Sequence, residues 1–270
     1  MRQKLLRRVV LFGMLLITIS GFYTGCIDEP TISELEPMTM TARFVNAVRT
    51  STNATPAIDV YINGEKKISN LAYGTNTAYL NSLKPGEWKF FVTVAGAPQD
   101  TIIEQNITLA SLTQQTIVIY DLAQKTSFKV QQGKVLQSIE RYTYSDETKK
   151  LGDTASVKII HANYLGAAKV QLKAQKSTDT SATVVISGPL SDATHQPTTA
   201  GIDYGQPSPY SYPFKKLLFG NYTFSFVNAG NGLLIKDIVV DISKAKRYTF
   251  ALVGDATDPK IIKLDDDLAP

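Results

Sequence analysis

A series of short β-type segments that is written twice constrains this chain more than anything else. From Thr41 onward, β-branched and aromatic stretches alternate with turn residues, and the same order restarts near residue 155. Val157 to Ala162 lines up with Arg43 to Ala47, with His161 standing where the first copy has Asn46. Lys169-Val170-Gln171-Leu172 lines up with Asp59-Val60-Tyr61-Ile62, and Tyr204-Gly205 with Tyr73-Gly74. Gly220 to Phe224 matches Gly86 to Phe90. Ile238 to Ile242 followed by Arg247 to Leu252 matches Ile107 to Leu109 followed by Thr116 to Ile119. The order of elements is kept although identity is low, which is how a duplicated structural unit reads.

Within each unit the period is that of strands. Ile58, Val60 and Ile62 alternate onto one face, and Asn63-Gly64 directly after them is a strong hairpin signal. Lys84-Pro85-Gly86 marks a turn before the stretch Trp88 to Val94. The best helical candidate, Gln131 to Tyr142, fits a twisted hairpin equally well. The pattern predicts an all-β chain of two tandem antiparallel Ig-like β-sandwich domains. The first is expected over 41–142 and the second over 155–270, joined by a charged, turn-rich linker over 143–154. A Ser/Thr/Asp-rich insertion is expected over 175–200, with Thr183 to Ile186 as an extra edge strand inside it. The Pro-rich continuation Pro207 to Phe214 is unsuited to a central strand.

Ahead of this lies an export signal. Arg2, Lys4, Arg7 and Arg8 precede an apolar run from Val9 to Ile19, and Tyr23-Thr24-Gly25 leads to Cys26, the sole cysteine. The apolar run is shorter than the ~20 residues a spanning helix needs, and the basic–apolar–small order is that of a cleaved signal over 1–25. The chain carries 28 basic and 24 acidic residues, and the four basic ones before Cys26 leave with the signal. The mature chain is therefore balanced, which argues against a nucleic-acid footprint. Residues 26–40, polar with Pro30 and Pro37, read as a tether.

Three resemblances follow from these residues. Gly25-Cys26 resembles the lipobox of bacterial lipoproteins, of the looser form found in Bacteroidota because Tyr23 replaces the usual leucine. It implies diacylglycerol on the Cys26 sulfur and an outer-membrane location through that lipid. The acidic pair Asp28-Glu29 resembles a surface-export signal or is an ordinary tether, so surface and periplasmic placements both stay open. The paired strand pattern resembles the bacterial family called domain of unknown function 4397. It is carried by the opening strand with His161-Ala162, Ile58 to Tyr61, Leu71-Ala72-Tyr73-Gly74 with Tyr79, Pro85-Gly86, and Leu109 to Tyr120. That resemblance implies a β-sandwich on an exported protein and no known reaction.

Candidate chemistry is sparse. A cysteine spent on lipid leaves no disulfide, thiolate zinc site or cysteine nucleophile. The histidines are His161, in a strand, and His195, in a loop; no nucleophile elbow accompanies them, and His161 reads as a half-buried strand residue. Asp265-Asp266-Asp267 lacks calcium-hand spacing and reads as a solvated acidic terminus. No metal or cofactor is expected. Tyr204, Tyr210, Tyr212 and Phe214 form an aromatic loop that is either a ligand platform or a plug for the sandwich. Thr101 (Asp100-Thr101-Ile102) and Thr154 (Asp153-Thr154-Ala155) resemble Bacteroidota O-glycosylation acceptors in turns. The function expected is a non-catalytic envelope lipoprotein that binds a glycan or an envelope protein. The alternatives are a fimbria-like assembly subunit and an envelope enzyme with a site near His161.

Overall fold

The structure is a computed structural model that describes residues 40–50, 54–111, 113–123, 134–141, 152–163, 167, 169–186, 201–207 and 215–266. The first half contributes β1 (Met40–Thr50), β2 (Ile58–Ile62), β3 (Glu65–Leu71), β4 (Leu80–Leu83), β5 (Gly86–Val94), β6 (Ala97–Leu109), β7 (Thr113–Ala123) and β8 (Lys134–Arg141). The second half contributes β9 (Thr154–His161), β10 (Lys169–Lys176), β11 (Asp179–Ile186), β12 (Ile202–Asp203), β13 (Gln206–Pro207), β14 (Lys215–Leu218), β15 (Gly220–Asn228), β16 (Leu234–Ile242), β17 (Arg247–Gly254) and β18 (Pro259–Asp265). The all-β reading holds, and the stretch 131–142, which fits a helix or a hairpin by sequence, supplies a strand over 134–141.

Each half makes two sheets of matching order. The outer sheets run β3-β2-β5-β6 and β11-β10-β15-β16, and the inner sheets run β4-β1-β7-β8 and β13-β9-β17-β18, with β14 also on β9 and β12 on β10. The sheets are antiparallel except for one pair in each inner sheet: β1 runs parallel to β7, and β9 to β17. This differs from the purely antiparallel expectation. Between β1 and β7 the chain crosses to the outer sheet and back, so the two strands enter from the same end and no hairpin joins them.

Local sequence explains the outer sheets. Asn63 and Gly64 both take positive φ, 52° and 83°, as a tight hairpin turn between β2 and β3 requires. Trp88 fixes the next turn by donating its indole N–H to the Lys84 carbonyl at 2.9 Å. Ile58, Val60, Ile62, Trp88, Phe90 and Val92 then meet Ala42, Phe44, Ile117 and Ile119 in the first core. The second core repeats this with Val170, Leu172, Phe224, Phe226, Phe250 and Leu252, with Phe224 and Phe250 rings 4.4 Å apart.

Two alignments change. The hairpin β10–β11 occupies the position of β2–β3, so residues 175–186 belong to the shared plan rather than to an insertion. Edge strand β11 contributes little to the core, and its Ser/Thr/Asp-rich sequence hides it. Residues 187–200 lie outside the described ones. Register also places Val170 at the level of Ile58 rather than of Val60, because Ile58 pairs with Val94 and Val170 with Asn228. The shift from the sequence alignment is two residues, which leaves every side chain on its face.

A third apolar cluster lies between the inner sheets. Val45, Ala47, Val118 and Tyr120 from the first half meet Ile160, Ala162, Ala251, Val253, Ile262 and Leu264 from the second. Every residue of β17 is buried, as in strands covered on both faces. At one end this interface turns polar. Arg43 Nε donates to Thr116 Oγ1 at 3.0 Å, one Arg43 Nη donates to the Asp265 carbonyl at 2.6 Å, and the other donates to the Asp266 carboxylate. Asp266 also accepts from Thr249 Oγ1 at 2.6 Å, and its carbonyl accepts from Gln114 Nε2 at 3.0 Å. Asp266 is 0% exposed, so the acidic terminus is not solvated at this residue, which Arg43 draws inside. Contacts group the chain from Thr39 onward as one compact unit.

Lys158, also 0% exposed, holds in the second half the level of Arg43 in the first, since Arg43 pairs with Thr116 and Lys158 with Thr249. Burial pushes the Lys158 ammonium down to about 8; Asp266 opposes this, while Arg43 and Arg247 add to it. The unfolded chain then binds a proton that the native protein lacks between pH 8 and the ordinary lysine range, so stability rises with pH there. Urea unfolding from pH 7 to pH 9.5 should show this rise. Lys158→Met should abolish it and gain on the order of a few kcal/mol at pH 7. Parallel pH profiles for the two proteins would show that Lys158 stays charged in the native state.

Candidate functional site

The sequence points to His161 and to the aromatic loop, and the structure places His161 and Tyr204 together at the junction of the halves. The turn Tyr204-Gly205 folds back on β9, where Gly205 N–H donates to the His161 carbonyl at 2.8 Å. Its counterpart Tyr73-Gly74 folds back on β1, where Gly74 N–H donates to the Asn46 carbonyl at 2.8 Å. Both glycines take positive φ, 71° and 75°. A Cβ on Gly205 would also lie 2.5 Å from the Tyr120 hydroxyl.

Each tyrosine reaches across to the other half. The Tyr204 ring stands edge-on to Tyr120 of β7 and to His161, with centroids 5.6 Å away in both cases. The Tyr73 hydroxyl approaches Gly254 at the end of β17, and its ring lies under Lys260 at 4.8 Å and Arg49 at 5.9 Å. Arg49 pairs with Asp255 at 2.6 Å. Burial pushes the Asp255 carboxyl up, but the Thr257 hydroxyl and the amides of Asp258 and Thr257, with Arg49, outweigh it and hold the group below its ordinary range. Tyr79 stacks on the Arg43 guanidinium at 4.8 Å, and burial holds its hydroxyl protonated well above the ordinary tyrosine range. Tyr204, Tyr73 and Tyr79 thus pack in the junction. Tyr210, Tyr212 and Phe214 lie outside the described residues, as do Cys26 and His195.

His161 is fully rather than half buried, and both ring nitrogens are engaged. Nε2 lies 2.7 Å from the Ala167 carbonyl and must donate to it. Nδ1 accepts from the Asn163 amide at 3.4 Å. Burial lowers the pKa, against the opposing pull of the Ala167 carbonyl and Asp203, so the ring is held neutral. Asn46 makes the same pattern. Its Nδ2 donates to the carbonyls of Pro56 and Leu71 at 2.8 and 2.9 Å, and its Oδ1 accepts from the Val48 amide at 3.0 Å. Both residues tie an inner strand to the following loop and to the amide two residues on.

Thr101 and Thr154 sit in strands β6 and β9, not in turns, because their backbones are drawn into the sheets. Asp265 pairs with Lys263 at 2.9 Å. Among the described residues no cluster of three His, Cys, Asp or Glu is arranged to hold a metal. The sequence reading missed the polar interface of Arg43, Gln114, Thr116, Lys158, Thr249 and Asp266. The available signal is the run Val157 to Ile160, apolar on both faces around one lysine.

Comparison with known proteins adds the following. The family described as domain of unknown function (DUF4397) matches residues 41–173, which supports the family resemblance over that span. No curated protein matches the chain. Among solved structures, one described as alpha-glucan recognition by family 41 carbohydrate-binding modules from streptococcal virulence factors is 10% identical with a TM-score of 0.24, covering 83% of this chain and 96% of that one. Another, described as alpha-glucan binding by a streptococcal virulence factor, is 10% identical with a TM-score of 0.24, covering 82% and 95%. Likeness this distant carries no argument about a ligand.

His161 buried in its neutral form opposes folding where the unfolded ring protonates, so stability falls as pH drops through the ordinary histidine range. His161→Asn, which copies Asn46, should remove that acid sensitivity and unfold within about 1 kcal/mol of wild type at pH 7.5. His161→Ala should lose about 1–3 kcal/mol by stranding the Ala167 carbonyl. Urea midpoints at pH 5.5 and 7.5 check both.

Proposed function

We propose that the chain is a non-catalytic lipoprotein of the bacterial outer membrane, anchored through Cys26, that acts as a binding or adhesion module. The observation that carries this reading is the fate of His161: buried, neutral and held at both nitrogens, it serves the same structural bond pattern as Asn46. A general base needs an unshared nitrogen within reach of substrate. Tyr73, Tyr79 and Tyr204 pack in the junction, which supports placing recognition, among the described residues, on the outward faces of the outer sheets. The lipid anchor rests on the basic–apolar–Gly25-Cys26 order, and two or more acyl chains give stable membrane attachment where one is marginal.

The test combines lipid labelling with topology. Wild-type protein in its native host should incorporate labelled palmitate, and Cys26→Ala should not. Persistent labelling of the variant would refute the anchor. Protease added to intact cells should digest the modules if they face outward, and digestion only after outer-membrane rupture would place them in the periplasm. Recovery of the wild type in the soluble extracellular fraction would overturn the envelope assignment.

A further inference from the structure

The two halves share one strand plan, so a residue that differs sharply between equivalent positions marks something the fold does not need. On the outward face of the first outer sheet, Lys66, Tyr61, Phe91 and Glu104 stand side by side across β3, β2, β5 and β6. Tyr61 and Phe91 are both partly exposed, and their rings meet edge to face at 5.5 Å and 67°. The Lys66 ammonium sits 5.2 Å from the centre of the Tyr61 ring. In the second outer sheet the same level is held by Lys173 and Ser225. The adjoining core positions remain aromatic in both halves, Phe90 and Phe224. The inward face thus repeats, whereas the aromatic pair on the outward face is peculiar to the first half.

The charges on this face pair with one another. Lys66 Nζ lies 2.6 Å from Asp59, and Lys89 Nζ lies 3.6 Å from Glu104. Asn106 donates to Glu87 at 2.6 Å beside them. The row from Lys66 to Glu104 carries one charge of each sign, and it offers donors and acceptors at both ends of a short aromatic pair. Four strands at ~4.8 Å spacing make that row roughly 14 Å long, the reach of a short oligosaccharide. Aromatic rings present area to sugar C–H groups at low entropic cost, and flanking charged groups bond the hydroxyls.

We infer that the Lys66–Tyr61–Phe91–Glu104 row is a binding site for a neutral oligosaccharide. This deepens the binding-module reading above and rests on it. The sugar rings lie on Tyr61 and Phe91, while hydroxyls accept from Lys66 and Lys89 and donate to Glu104.

The protein should be titrated with neutral hexasaccharides of glucose, mannose, galactose and N-acetylglucosamine. At least one should bind by calorimetry and shift the aromatic NMR signals of Tyr61 and Phe91 in the wild-type protein. Tyr61→Lys with Phe91→Ser copies the second half, so it should fold and melt like wild type yet bind at least tenfold more weakly. Phe91→Ser alone serves if the double variant does not fold, and the wild-type ring shifts need no variant. Equal binding by the folded variant would overturn this site while leaving the binding-module reading intact. No hexasaccharide binding, or an envelope protein captured through this face instead, would overturn the glycan assignment.

Discussion

The contact between the two inner sheets is the constraint on which the rest of the structure depends. A sheet in a sandwich usually keeps one face in water, but β1, β7, β9 and β17 are covered on both. Apolar residues fill most of that contact, and Arg43 with Asp266 closes one end of it. A buried ion pair gains little over a well-packed apolar substitute, but losing one partner costs about 3–5 kcal/mol. Such a pair punishes misalignment more than it rewards alignment, so it fixes how the halves meet. The partners lie 223 positions apart in the chain, so the contact closes the fold from end to end.

Equivalent positions of the halves supply both sides of this interface, as the same patch does in a symmetric dimer. Val45 and Ile160 meet in it, as do Ala47 and Ala162, while Arg43 and Lys158 hold the same level on facing strands. The Tyr-Gly turns are exchanged in the same sense, Tyr204 toward β7 and Tyr73 toward β17. Because one chain carries both halves, their association does not depend on protein concentration. Positions inside this arrangement keep their role even when the residue changes, as with Asn46 and His161. Positions on the outward faces of the outer sheets differ, as with Tyr61 and Lys173, and that difference is what makes the outward face informative about recognition.

Much of this plan can be read from local sequence. Asn63-Gly64, the alternation of Ile58, Val60 and Ile62, and the Tyr-Gly pairs are short-range signals that report turns and faces directly. Long-range facts were less legible. Strand β11 looks like part of an insertion in the sequence because an exposed edge strand needs few apolar residues. Asp266 looks solvated in the sequence because three adjacent aspartates ordinarily face water, and its buried partner Arg43 lies 223 positions away. The aromatic loop reads as a platform or a plug, and the structure packs the partly buried Tyr204 against Tyr120 and His161. Tyr61 and Phe91 escaped notice because cross-strand register, not spacing along the chain, brings them together.

Cooperative unfolding of the two halves tests this account most directly. Trp88 is the sole tryptophan and lies in the first core, so its fluorescence reports that half alone. Hydrogen exchange of the β15 amides reports the second. With the inner sheets spent on each other, both signals should be lost at the same urea concentration and with the same free energy. Exchange of the β15 amides through an opening that leaves Trp88 fluorescence native would contradict it, because the halves would then be independent bodies.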